Sequence, residues 1–175
     1  MIIGLCTRFQ RPGILGNLWF HHTDYDTKKI LKKKLREETI KIWQNRWNVS
    51  IYSRKLYSWI PDITEIINNK WFKPNYATVQ LITGHGNISD YYNRFHLRVT
   101  TGCRKCHSHE ETNGHLLFYC PALQELRDRL YIKTGIDITR FTIRHYLTNK
   151  EYFKEFQKYC TNIMKLDSSR PPPRG

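Results

Sequence analysis

The sequence predicts a mainly α-helical fold, a small helical domain interrupted by a short knuckle of cysteine and histidine residues. Three observations predict it. Apolar residues recur at steps of three and four along several long segments; asparagine, proline and glycine punctuate those segments where helices start and stop; and three of the five cysteines crowd into the eighteen residues CRKCHSHEETNGHLLFYC, Cys103 to Cys120. With 175 residues the chain is long enough for one core, or for two small lobes, and too short for two full-sized domains.

Residues 1–25 read as an irregular N-terminal segment. MIIGLCTRFQRPGILGNLWFHH starts apolar, but Arg8, Arg11, Pro12 and three glycines break it well short of the roughly 20 residues a membrane span needs. It has neither the charged leader nor the continuous apolar stretch of a secretory signal. Residues 26–100 read as a helical region that begins with a basic amphipathic helix over 26–47. Ile30, Leu31, Leu35, Ile42, Trp43 and Trp47 form its apolar stripe, and Lys28, Lys32, Lys33, Lys34 and Arg36 lie mostly between them. The stretch NVSIYSRKLYSWIPDI alternates too irregularly for a strand and ends at Pro61, and Ile63 to Trp71 suggests a short helix.

Asn75 is placed to cap YATVQLIT, which Gly84 stops. The triplet Gly84, His85, Gly86 makes a tight turn, Ser89 is placed to cap SDYYNRF, and HLRV reads as a brief extended piece. Residues 101–132 hold the knuckle and a helix with Pro121 in its first turn, ending near Gly135. Residues 133–166 carry two more helices, TRFTIRHYL and NKEYFKEFQKYCTNIMKL; Phe153, Phe156, Cys160 and Ile163 make an apolar stripe on the second, so Cys160 reads as a buried thiol. Residues 167–175, ending SSRPPPRG, cannot build a core and read as a disordered tail.

The cysteines carry the chemistry. Cys103 and Cys106 stand two residues apart and fit one tight turn, while His115 and Cys120 fit the first turns of a helix facing back toward it, giving C-x2-C-x8-H-x4-C. Three thiolates and an imidazole form a closed tetrahedral set for zinc, with no position open for water or substrate, so the ion is expected to hold shape. A reduced cysteine cluster in an ordinary core is the competing reading. His107 and His109 are rivals for the imidazole position, but they lie so near Cys106 that reaching the same ion would strain the loop. An odd cysteine count with this clustering points to a reducing, intracellular compartment.

Twenty-nine Lys and Arg against 15 Asp and Glu leave a formal charge of +14, a field that attracts polyanions. Nucleic acid, RNA or DNA, is the expected partner, and a membrane surface is not. The candidate contacts are Arg104, Lys105 and His107 on the knuckle, Lys32, Lys33 and Lys34 on the first helix, and Arg94 and Arg98. A solvated surface role competes for each alone. Tyr91, Tyr92, Phe95, Phe118 and Tyr119 offer rings for stacking on bases, with a core role favoured for Phe118. His85 has no recognisable nucleophile or carboxylate partner and reads first as a residue fixing its turn, second as a phosphate contact.

The run LITGHGNISDYYNRF, CRKC, EETNGHLLFYCPALQELR resembles the carboxy-terminal region of arthropod-type non-LTR retrotransposon reverse transcriptase polyproteins, in which a TGHG turn precedes a CCHC zinc motif. The matching positions are Thr83, Gly84, His85, Gly86, Tyr91, Cys103, Cys106, Glu111, Thr112, His115, Cys120, Pro121 and Arg127, and IWQNRW resembles the tryptophan-bearing helix upstream. The resemblance covers 42–130. It implies an origin downstream of a reverse transcriptase domain, a possible partner, and a nuclear place of work. No Asp-Asp polymerase motif and no carboxylates spaced for two magnesium ions are present; Glu110 with Glu111, Asp24 with Asp26 and Glu37 with Glu38 read as helix capping or surface charge balance. The expected function is therefore binding without catalysis. A remnant of the parent's polymerase or endonuclease activity, or a protein-interaction module using exposed tryptophans, are the alternatives.

Overall fold

A computed structural model of the chain describes residues 17–97, 102–107 and 110–166, with side chains from Tyr25 onward. Cys6, Arg98, His109 and the tail 167–175 lie outside the described residues, as do half of the HLRV piece and most of the segment expected to be irregular. The described regular structure is helical, with no strand among those residues. The mainly α reading, with a Cys/His cluster set among helices, is borne out. Among the described residues no helix is long and apolar enough to cross a membrane.

The helices, in order, are α1 (Asn17–Val49), α2 (Arg54–Trp59), α3 (Thr64–Ile67), α4 (Tyr76–Thr83), α5 (Ser89–Arg94), α6 (Gln124–Thr134), α7 (Ile143–Thr148) and α8 (Lys150–Lys165). A π-helical turn (His115–Tyr119) and a 3₁₀ turn (Pro121–Leu123) precede α6. The chain divides into two compact units, Met1–Trp43 and Gln44–Gly175.

In the first unit α1 begins at Asn17, nine residues before the expected start, so residues 17–25 are helical and not irregular. The expected apolar stripe is not a buried face: Ile30, Leu31, Leu35, Ile42 and Trp43 are all exposed. The half-buried residues of this helix are Ile40, Gln44 and Trp47, one helical turn apart. Periodicity located the helix, and of its expected stripe Trp47 is half-buried.

In the second unit the end of α1 is anchored by polar contacts. The Trp47 indole Nε1 donates to Ile60 O (2.8 Å) and Gln44 spans Pro61 O and Ile63 N. Arg54 Nη1 donates to the carbonyls of Trp47, Asn48 and Ser50, filling the acceptors a helix C-terminus leaves open. The irregular stretch after Ser50 thus contains a helix, α2, whose Trp59 is buried and meets Phe118 edge-on at 5.9 Å. The helix expected over 63–71 shortens to α3, and Trp71 and Phe72 instead pack on Phe153.

Helix α8 is the central element and packs against α4, α6 and α7. Its stripe Phe153, Phe156, Cys160 and Ile163 is buried as the period predicts, and burial pushes the Cys160 thiol far up, an inert thiol. Asn149 caps α8 by accepting from Glu151 N and Tyr152 N. Asn75 caps α4 through Thr78 N (2.9 Å), and Gly84 (φ 71°) and Gly135 (φ 70°) close α4 and α6.

Two local expectations are corrected. Ser89 is the first residue of α5 and not its cap; its hydroxyl makes no hydrogen bond and its amide is taken by Glu111 Oε1 at 3.1 Å. His96 (φ 53°) and Leu97, whose amide donates to Tyr92 O, close α5 in a turn where an extended piece was expected.

Candidate metal centre

The first half of the centre is a turn. Cys103 O accepts from His107 N at 2.7 Å, which folds CRKCH back on itself, and His107 takes a left-handed conformation (φ 62°) to end the turn. Lys105 N donates to Cys103 Sγ at 3.4 Å, so the sulfur already faces a backbone dipole that favours thiolate.

The second half depends on a π turn. In an α-helix of 3.6 residues per turn, positions i and i+5 point about 140° apart, so His115 and Cys120 could not face one ion. Here Cys120 N donates to His115 O at 2.8 Å, an i to i+5 bond, and the wider turn returns both side chains to one side. Thr112 Oγ1 accepts from His115 N (3.0 Å) and starts the segment. Leu116, Leu117 and Phe118 bury themselves in the core, Tyr159 OH donates to Leu117 O (2.6 Å), and Arg127 Nη2 donates to Cys120 O (2.7 Å). Arg127 therefore supports the turn's exit.

The four ligand atoms of Cys103, Cys106, His115 and Cys120 lie within 4.8 Å of one another. Cys103 Sγ and Cys120 Sγ are 3.9 Å apart, and Cys106 Sγ and His115 Nε2 are 3.3 Å apart. Metal–sulfur bonds of about 2.3 Å and metal–nitrogen bonds of about 2.0 Å in a tetrahedron require about 3.8 Å between sulfurs and about 3.5 Å between sulfur and nitrogen. These residues are close enough to hold a metal ion. Burial raises the Cys103 thiol, and burial together with the nearby Cys103 pushes Cys120 up to about 12. With these thiols raised, a metal ion binding among them would have to displace their protons.

Glu111, read from the sequence as helix capping or surface charge balance, ties this centre to the fold from a buried position. Glu111 is 0% exposed, and its carboxylate accepts from Arg104 N (2.9 Å), Arg104 Nε (3.0 Å), Arg104 Nη2 and Ser89 N. Its carbonyl also accepts from Asp90 N. One residue thus clamps the CxxC turn and holds the start of α5. Burial alone would raise this carboxyl, but the Arg104 hydrogen bonds and charge and the Ser89 amide outweigh it and hold it below the usual carboxylate range. Glu111 is a buried cap, not surface balance. A signal existed: Glu110 and Glu111 are the only carboxylates between Cys103 and Cys120.

The expected phosphate contacts that fall among the described residues have different local settings. The Arg104 side chain is only 10% exposed, paired with Glu111 and donating to Asn87 Oδ1 and O. Lys105 is half-buried and His107 exposed on the same turn. Lys32, Lys33 and Lys34 are exposed on α1 in the first unit, with Lys33 4.0 Å from Glu37. Arg94 is half-exposed, donating to Gly84 O (3.1 Å) with Asp90 at 3.4 Å. His85 is exposed, its ring edge-on to Tyr91 at 5.6 Å. Phe118 is core as favoured, while Tyr119 and Phe95 are exposed.

Comparison with known proteins gives the chain its relatives. It is 30% identical over 148 residues, 83% of its length, to a retrovirus-related Pol polyprotein from the type-1 retrotransposable element R1 of Popillia japonica. Similar polyproteins of Bradysia coprophila (32% over 97 residues, 55% of this chain) and Nasonia vitripennis (28% over 131 residues, 72%) also match. The chain spans 58% of the first of these and 10% and 32% of the other two. No family model and no solved structure matches it. Its homologues are thus R1 retrotransposon Pol polyproteins, as the TGHG and CCHC stretch implied.

Proposed function

We propose that the chain is a zinc-stabilised nucleic-acid-binding domain derived from an R1-type Pol polyprotein, engaging RNA or DNA with no catalysis of its own. The observation that carries this reading is the closed ligand tetrad set in a chain of charge +14. Three soft thiolates and one imidazole suit zinc, and four protein ligands leave no coordination position for substrate, so the ion supplies rigidity and not chemistry. It would pin the turn at Cys103 to the π turn at His115, and through Asn113 and Glu111 hold the surfaces around α4 and α5. Lysines and arginines then contact phosphates, and exposed rings such as Phe95 and Tyr119 offer stacking faces. In this role the domain would hold template or target for a reverse transcriptase in the nucleus, which co-localisation of tagged protein with DNA checks.

The test is binding of fluorescent single-stranded RNA and DNA across a salt series, with zinc measured on the same preparation. One zinc per chain and affinity that falls steeply with salt are expected, both lost in Cys103→Ser. A metal-free chain that folds normally and ignores both nucleic acids overturns the reading. The exposed Ile30, Leu31, Leu35, Ile42 and Trp43 on α1 favour a second reading, a protein-docking module. Salt-insensitive capture of a polypeptide, without nucleic-acid affinity, would select it.

A further inference from the structure

We propose that a basic pocket beside the Gly84–Gly86 turn seats one internal phosphodiester of a nucleic-acid strand, an inference that rests on the nucleic-acid reading above. The pocket has a volume of about 470 Å³, and Ser53, Arg54, Lys55, His85, Arg94 and Asn113 line it. Arg54, Lys55 and Arg94 bring three permanent positive charges from α2 and α5, and among the described residues Asp90, beside Arg94, supplies the one carboxylate of the lining. Among the described residues no carboxylate pairs with Arg54 or Lys55. The excess of two charges and the polar lining suit a small anion and not an apolar ligand.

The cations are held in place before any ligand arrives. Arg54 is fixed by three carbonyls and lies 3.7 Å from the centre of the Tyr57 ring; Arg94 is fixed by Gly84 O; Lys55 Nζ spends one donor on Asn113 Oδ1 at 2.9 Å, leaving two of its three. Ser53 at the rim holds a left-handed backbone (φ 57°, ψ 28°) that a non-glycine residue adopts at a cost, a feature that concentrates at binding sites. The floor belongs to the metal loop. Asn113 stands two residues before His115 and donates to Leu81 O (3.0 Å), so the ion that fixes His115 also fixes the pocket.

Each phosphate contact to a single strand contributes about 0.7 to the slope of log K against log salt, and at 0.1 M salt that is about fivefold in affinity. The experiment measures zinc-loaded full chain binding to a 5′-hydroxyl 12-mer of uridine across a salt series. It compares wild type, Lys55→Gln/Arg94→Gln, Arg94→Gln alone, His85→Ala, and Lys32→Gln/Lys33→Gln/Lys34→Gln. The double variant is expected to lose roughly 1.4 from the slope and about 25-fold at 0.1 M. Arg94→Gln should lose half of that slope, and so remains a test if the double variant fails to fold. The α1 variant should lower affinity while leaving the effect of Arg94→Gln intact. Wild-type binding with pocket variants unchanged overturns the pocket and spares the nucleic-acid reading; no wild-type binding overturns both. Tightening that requires a 5′-phosphate on the 12-mer overturns the assignment to an internal phosphodiester.

Discussion

Replacing Glu111 with glutamine strikes a fully buried and fully hydrogen-bonded carboxylate. The carboxylate presents two oxygens to four donor groups: Oε1 takes Ser89 N, Arg104 Nε and Arg104 Nη2, while Oε2 takes Arg104 N and Nε. Glutamine keeps the shape but turns one oxygen into a donor, so whichever way the amide points, Ser89 N or Arg104 N loses its acceptor. An orphaned buried amide costs about 1–3 kcal/mol, and a guanidinium left without its charge partner brings the cost of a broken buried pair to about 3–5 kcal/mol. For a domain of this size that corresponds to a fall of roughly 6–20 °C in melting temperature. The comparison is Glu65→Gln, which breaks the half-exposed Glu65–Arg144 pair and should cost about 1 kcal/mol or less. Urea unfolding of zinc-loaded protein at pH 7 reads both. The pH dependence carries a sign: the folded carboxyl lies below its unfolded value of about 4.3, so its contribution is complete above that pH and disappears as pH falls through the lower folded value. The gap between wild type and Glu111→Gln should therefore close only in acid, below about pH 4. Equal costs for Glu111→Gln and Glu65→Gln, or a gap that closes near neutrality, would refute the argument.

Three further outcomes follow from the same geometry. Cobalt substitution should give the absorption of a tetrahedral thiolate-rich site with one ion per chain, and Cys120→Ser should lower affinity for the ion, seen by competition with a chelator. A Cβ on Gly86 (φ 132°) would sit 2.4 Å from the Gln80 side chain, whereas one on Gly84 (φ 71°) would meet Asn113 at 3.4 Å; Gly86→Ala should thus destabilise more than Gly84→Ala, itself worth about 1 kcal/mol, by thermal unfolding. Phe156→Ala, in the α8 stripe, should cost about 3–5 kcal/mol by urea unfolding while leaving metal stoichiometry at one.

Much of the local structure was legible because it is written in neighbouring residues. Asn75 caps what it precedes, Gly84 and Gly135 stop what they follow, and the four-residue gap between His115 and Cys120 brings both to one side once the turn widens. The α2 helix was not legible, because what holds it is remote: Trp59 against Phe118, and Arg54 against the end of α1. Five of the six residues in the stripe read on α1 are exposed for a related reason. Apolar residues outnumber the positions that pack, and only a partner surface chooses among them.

By itself the sequence determined the Cys103, Cys106, His115 and Cys120 cluster, the two ends of α4, the end of α6 and the core stripe of α8, since each depends on spacing within a few residues along one backbone. Only the tertiary structure decided that Glu111 is buried, that Arg104 turns inward to meet it, and that Arg54, Lys55 and Arg94 share a pocket. These groups are distant in sequence, and the same charged residue is solvated or committed according to what the folded chain sets against it.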